Sequence, residues 1–168
     1  MTTVYTETDS PLGPILVAAQ EAGLVTISFL DGTNPTKPGD DWRREATPLL
    51  HDAAEQIRGY FAGALTRFEL PLAPRGTAFQ QRVWAALGEI PYGTAISYGE
   101  LARRIGRPTA SRAVGAANGQ NPLPIVVPCH RVVGHDGRLT GYAGGLHIKA
   151  HLLSLEGVGA PQQQRLAL

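Results

Sequence analysis

The chain holds a single cysteine, Cys129, and a histidine and an arginine follow it directly as His130 and Arg131. Basic neighbours favour the thiolate, the nucleophilic form of cysteine. On a strand an adjacent histidine points to the other face, but at a turn it can reach the thiol proton through one water. A carboxylate is then needed to hold the imidazole in place. Glu156 is the candidate, being the only acid after Asp136 and lying at the end of a helix predicted over residues 146–155. A free cysteine is often an inert core residue, so these residue types alone leave both readings open.

The elements that position such a group can be read around it. Ile125-Val126-Val127 is β-branched and apolar and predicts a buried strand delivering Pro128 and Cys129. Upstream, Thr77-x-x-Gln80 is a capping box that opens a helix with Val83, Trp84 and Leu87 on one face. Residues 97–106 carry Leu101 and Ile105 at i, i+4 spacing and end at a glycine. Arg107-Pro108 then makes a turn, and Thr109 or its neighbour caps a second helix over Ala110 to about Ala117. Two short helices joined by a tight turn match the helix-turn-helix pattern.

The composition of the second helix is informative. Ala110, Ser111, Ala113, Gly115, Ala116 and Ala117 are all small, and Arg112 is the one long side chain. Helices that read bases in the major groove display several long polar side chains. A nearly bald helix approaches a nucleic-acid backbone closely, reads little sequence, and suits the minor groove with Arg112 as a wedge. The same composition also fits a helix packed into the core.

The first half offers no chemistry of this kind. Pro14–Ala19 and Leu24–Leu30 flank a Glu-Ala-Gly turn and predict a hairpin. Asp31–Asp41 reads as loop. Thr47-Pro48 opens a helix whose face carries Leu50, Ala53, Ala54, Ile57 and Phe61 and which stops at Gly63. Pro71–Gly76 reads as a linker, giving domains at 1–74 and 75–160, with a loosely packed tail at 161–168.

At 168 residues with 43% hydrophobic and 17% charged residues, the chain is expected to fold rather than stay disordered. Net charge +1 hides an asymmetry: residues 1–74 carry five bases and ten acids, residues 75–168 ten bases and four acids. The basic half suggests an anionic partner, nucleic acid first, although clustering on solvated faces gives the same count. No apolar run approaches the ~20 residues that span a bilayer, and the polar N-terminus lacks the features of a signal peptide. One cysteine excludes an internal disulfide and a Cys-rich zinc site, so the expected compartment is a reducing cytoplasm.

The string PCHRVVGHDGRLTGYAGG resembles the active-site signature of the O6-alkylguanine-DNA alkyltransferases, the methylated-DNA–protein-cysteine methyltransferases. The resemblance runs from Thr77 to Gly157, about half the chain. It implies an α+β fold: a small N-terminal sheet-plus-helix domain, ribonuclease H-like, followed by a winged helix-turn-helix domain carrying the cysteine. It also implies roles. Cys129 would accept the alkyl group, His130 would act as base through a water, and Glu156 would hold the imidazole. Tyr98 would donate a proton or hydrogen bond to the purine, and Asn121 would brace the active-site turn. Arg112 would fill the gap left by a flipped nucleotide, on a DNA-binding surface with Ala110, Ala113, Gly115 and Tyr98. Val132, Tyr142, Ala143, Gly144 and Lys149 would form the pocket for the base.

The implied activity is direct reversal of O6-alkylguanine, and of O4-alkylthymine, in duplex DNA. Such a lesion lies inside the stack, so the nucleotide must flip out, at a cost lowered by its poor pairing. Attack by the thiolate leaves a thioether that water does not cleave. With no second cysteine to regenerate it, the protein would act once. No cofactor is expected and no zinc, because residues 1–74 lack cysteine and hold one histidine, His51. The expected partner is duplex DNA bearing the lesion, with no membrane and with a free monomer able to cluster along DNA. Two other classes compete: a damage-sensing helix-turn-helix with an unreactive Cys129, and a Cys–His hydrolase, which leaves Arg112 and the basic half unexplained.

Overall fold

The computed structural model describes residues 2–142 and 144–158. Ala143 and the tail 161–168 lie outside the described residues. The fold is α+β, in two compact units, Met1–Arg75 and Gly76–Leu168. No helix among the described residues is long and apolar enough to cross a membrane.

The first unit is built on a four-stranded sheet in the order β3-β2-β1-β4. Strands β2 (Ile15–Gln20) and β3 (Gly23–Phe29) form the expected antiparallel hairpin. Their long apolar runs are buried on both faces, β2 as a central strand and β3 as the outermost strand, beside which residues 71–73 run. Strand β1 (Val4–Thr8) pairs with β2 although the polar N-terminus gave no sign of it, and it takes the two-residue β4 (Arg43–Arg44) in parallel on its far side. The 31–41 loop is tied to β3, where Thr36 N donates to Ser28 Oγ at 2.8 Å.

Helix α1 (Pro48–Phe61) begins as anticipated: Thr47 Oγ1 accepts from Leu50 N, and proline occupies the first turn. Its buried face differs at the end. Tyr60 is fully buried, whereas Phe61 is half-buried and packs edge-on to the Tyr60 ring. The stretch read as a linker also differs. Pro71 O accepts from Leu24 N and Ala73 N donates to Leu24 O, so the chain runs along β3 before leaving the unit. Gly23 makes this possible, because an added Cβ would lie 2.6 Å from Pro71 O.

The second unit contains α2 (Ala78–Leu87), β5 (Ile96–Ser97), α3 (Tyr98–Arg104), α4 (Ser111–Gly119), a 3₁₀ turn (Cys129–Arg131), β6 (Val132–Val133) and α5 (Leu146–Leu155). The capping box at α2 is complete in both directions, between Thr77 and Gln80. Val83, Trp84 and Leu87 are buried, and Trp84 Nε1 donates to Ala117 O at 2.9 Å, fixing α2 against α4. Such a bond contributes roughly 1 kcal/mol net. Helices α3 and α4 form the helix-turn-helix, with Gly106 in the left-handed region (φ 75°) at the turn.

Two expectations change here. Helix α4 starts after Ala110, which has no side-chain acceptor, so no hydroxyl caps it. Residues 125–127 form a turn rather than a strand, and Ile125 sits at φ 76°. The strand begins only at Val132, which pairs in parallel with Ile96. The apolar run misled because its residue types favour a strand, whereas Pro124, Pro128 and the bonds of Asn121 hold it as a turn against that preference.

Candidate active site and nucleic-acid face

Asn121 determines how the chain reaches the cysteine. Its Nδ2 donates to Val127 O at 2.8 Å, its Oδ1 accepts from Leu123 N at 3.0 Å, and Val127 N donates to Leu123 O. The turn these bonds close holds Ile125, a buried β-branched residue, in a conformation that costs about 1–3 kcal/mol. From there the chain enters the 3₁₀ turn that carries Cys129 and His130. Asn118, also buried, reaches Cys129 O from α4 at 3.4 Å.

His130 and Glu156 meet across the unit. His130 is fully buried, and its Nε2 lies 2.7 Å from Glu156 Oε2. Glu156 also accepts from Arg131 Nε at 2.8 Å, Arg131 Nη2 at 3.0 Å and Gly93 N at 3.3 Å. Arg131 Nη1 donates to Ile90 O at 2.7 Å. A carboxylate already paired with arginine is ionised, so Nε2 carries the hydrogen and donates it. Nδ1 is thereby an acceptor; it is buried and has no hydrogen-bond partner among the described residues.

This geometry corrects the electrostatic expectation. Arg131 does not serve the thiol, because its guanidinium is committed to Glu156. Burial pushes the Cys129 thiol up, opposed by the Asn121 side chain, then by the charge of Lys149 and the Tyr142 hydroxyl. The cation that faces Cys129 is therefore Lys149, from α5. Burial lowers Lys149 to about 8, and Cys129 opposes the shift. Burial also pulls His130 below the ordinary histidine range, against the hydrogen bond and charge of Glu156. At rest the site holds a neutral thiol and a neutral imidazole.

Beside it lies a groove of about 990 Å³ between α3, α4 and the 134–142 loop, bordered by Tyr98, Gly115, Gly119, His135, Thr140 and Tyr142 among others. A space of this size and mixed lining suits a planar ligand several rings across. Tyr98 is raised by burial, opposed by a hydrogen bond from Thr140. Gly115 faces its ring, where a Cβ would come to 3.6 Å. Lys149 Nζ donates to Thr140 O at 2.8 Å and lies 5.9 Å from the centre of the Tyr98 ring.

The remaining candidates are placed as follows. Arg112 and Ala113 are exposed on α4 and Ala110 is half-buried at its start. Arg112 makes no hydrogen bond or ion pair among the described residues, whereas Arg103 and Arg104 pair with Glu100, and Arg138 with Asp136. Part of the positive charge of this unit is thus internally neutralised, and Arg112 is left free. Val132 is fully buried in β6, so only its backbone can reach a ligand. Gly144 is half-buried in the turn before α5. Sequence reasoning missed the locking of Glu156 by Arg131, for which adjacency in the motif was the only signal, and the Tyr98–Thr140 contact, for which there was none.

The family model for the DNA binding domain of 6-O-methylguanine DNA methyltransferase matches residues 78–158, and that for its ribonuclease-like domain matches residues 3–74. The methylated-DNA–protein-cysteine methyltransferase of Methanosarcina acetivorans is 52% identical over 153 residues, 91% of this chain and 97% of that protein. The crystal structure of Mycobacterium tuberculosis O6-methylguanine methyltransferase superposes with a TM-score of 0.85 at 47% identity, covering 93% of each chain. That of Mycobacterium tuberculosis OGT in complex with DNA does so with a TM-score of 0.84 at 45% identity, over 96% of this chain and 99% of the other. With both domain models matched in order and half of all positions identical to a relative of nearly equal length, the chain belongs to the 6-O-methylguanine DNA methyltransferase family.

Proposed function

We propose that the protein repairs DNA by direct reversal, moving the alkyl group of O6-alkylguanine, and of O4-alkylthymine, onto Cys129 in a single irreversible event. The observation that carries the reading is a buried cysteine followed by a buried imidazole that is anchored to Glu156 and whose Nδ1 has no partner among the described residues, next to a groove of base size. Family membership and the DNA complex of the mycobacterial relative support duplex DNA as the partner.

The chemistry follows from the site. The lesion base flips into the groove, with Tyr98 and Tyr142 beside it and the backbone of residues 132 and 144 along its edge. His130 Nδ1 takes the thiol proton through a water, and Lys149 and Asn121 favour the thiolate. The sulfur attacks the alkyl carbon, the S–C bond forms and the C–O6 bond breaks. Tyr98 supplies a hydrogen bond or proton to the departing base, and the proton from Cys129 balances the guanine released. The product is a thioether, whose S–C bonds water does not cleave, so each chain reacts once.

Arg112 enters the stack where the nucleotide leaves, and the small residues Ala110, Ala113 and Gly115 let α4 approach the duplex without reading sequence. The free protein acts as a monomer that can line up along DNA, in a cytoplasm that keeps its one cysteine reduced.

Mass spectrometry of the protein mixed with a duplex carrying one O6-methylguanine tests the reading. One added methyl on the Cys129 peptide, never more than one per chain, is expected, and Cys129→Ala should bind the duplex without modification. Binding without any methyl on wild-type Cys129 would make the protein a damage sensor instead.

A further inference from the structure

We propose that Thr140 is a positioning residue for Tyr98, aiming the phenol hydrogen of Tyr98 into the groove where the base is held. Thr140 Oγ1 donates to Tyr98 Oη at 3.0 Å. The Thr140 backbone is fixed from the other side, because Lys149 Nζ, on a fully buried side chain, donates to Thr140 O at 2.8 Å. Thr140 is thereby pinned between a helix residue and the ring it serves.

The consequence is one of counting donors. A phenol oxygen offers one hydrogen and accepts at its lone pairs. With a lone pair taken by Thr140, the hydrogen of Tyr98 points elsewhere, and Tyr98 lines the groove. A hydrogen bond given to the phenol oxygen also stabilises its anionic form, so Tyr98 donates more strongly as charge builds on a departing base. At Gly115, α4 comes up to the ring without a side chain, where an added Cβ would stand 3.6 Å away. Thr140 touches no reacting atom in this arrangement and acts through Tyr98 alone.

The inference rests on Tyr98 serving the departing base, as read above, and the experiment separates the two. Single-turnover transfer rates from an O6-methylguanine duplex are measured for wild type, Thr140→Val, Thr140→Ala, Thr140→Ser, Tyr98→Phe and the Tyr98→Phe/Thr140→Val double variant, with duplex affinity measured alongside. Valine and alanine remove the hydroxyl with different changes in bulk, which guards against a variant that merely disturbs the loop. Both are expected to slow transfer by roughly three- to tenfold, the scale of one lost hydrogen bond, while duplex affinity stays unchanged. Serine restores the rate, and the valine change has no further effect once Tyr98 is phenylalanine. If Thr140→Val slows transfer equally with and without the Tyr98 hydroxyl, or leaves it at the wild-type rate while Tyr98→Phe is slow, the positioning role is wrong. If Tyr98→Phe itself reacts at the wild-type rate, the reading of Tyr98 fails instead.

Discussion

Arg131 grips Glu156 with two parallel bonds, Nε at 2.8 Å and Nη2 at 3.0 Å, in a pair almost wholly removed from water. The fork geometry matches guanidinium to carboxylate and makes this the strongest charged contact beside the cysteine. The histidine that Glu156 orients thus faces a carboxylate whose charge is already balanced. An unpaired buried carboxylate would pull a proton onto His130 before any reaction; a paired one holds the ring and leaves it neutral.

The pair should behave as a unit in stability. Desolvation offsets most of the attraction in a buried ion pair, but removing one partner strands the other, at about 3–5 kcal/mol. Arg131→Met is expected to lose that much in urea unfolding. The double variant Arg131→Met/Glu156→Leu should recover a large part of it, although His130 then loses its anchor. Single losses that simply add in the double variant would show that the two side chains are energetically independent.

A pH dependence follows from the neutral His130. The folded state holds it below the ordinary histidine range through burial, against the pull of Glu156. As pH falls below about 6.5, the unfolded chain binds a proton that the folded chain refuses, so stability present at neutral pH is lost across the window down to the folded value. Unfolding free energies measured between pH 7.5 and 5 should fall more steeply for wild type than for His130→Gln. Parallel curves would mean that folding leaves the proton affinity of His130 unchanged, and a shallower wild-type curve would mean that folding raises it.

How much of this was legible in the sequence depends on what kind of signal each feature leaves. Helices with caps announced themselves: Thr47-Pro48 and the Thr77–Gln80 box begin α1 and α2 as read. Strand β1 did not, because its side chains are polar or half-exposed and its stability comes from pairing with β2, a partner its own residues do not encode. Cys129, His130 and Glu156 could be singled out because chemistry restricts their types. The direction in which Arg131 points could not, since adjacency along the chain does not say which neighbour turns toward the sulfur. The 3₁₀ turn sends it to Glu156 and leaves Lys149, twenty residues on, as the cation that faces the thiol. The turn at Ile125 was hidden for a related reason: β-branched residues are uncommon at positive φ, and the bonds of Asn121 together with the Val127 N to Leu123 O bond hold one there.

Asn121 is accordingly expected to matter beyond its own two hydrogen bonds. Asn121→Ala leaves Val127 O and Leu123 N without their partner and frees the strained turn to relax. The loss in unfolding free energy should be about 1–3 kcal/mol, two half-buried bonds at roughly 0.5–1.5 each. Relaxation at Ile125 would shift the 3₁₀ turn that carries Cys129 relative to the groove and Lys149, so transfer should slow by more than the stability loss explains at a temperature where the variant is fully folded. A variant that is destabilised yet transfers at the wild-type rate would show that the turn does not set the position of the sulfur.

Arg112 offers the sharpest separation between finding a lesion and reacting with it. It is exposed on α4, free of any partner among the described residues, and surrounded by small side chains that keep the helix low. If it occupies the space of the flipped nucleotide, Arg112→Ala removes the group that holds the stack apart, and the flipping cost of a few kcal/mol falls on the remaining contacts. Transfer from a duplex should then slow by tenfold or more, on the order of 1.4 kcal/mol or above. The free base O6-benzylguanine needs no flipping and should react with Cys129 of the variant almost as fast as with wild type. Raising salt should weaken duplex binding by both proteins, with a slope reduced by at most about one for the variant, because one cation has been lost from the interface. Equal slowing on duplex and free base would place Arg112 in support of the pocket rather than in the stack.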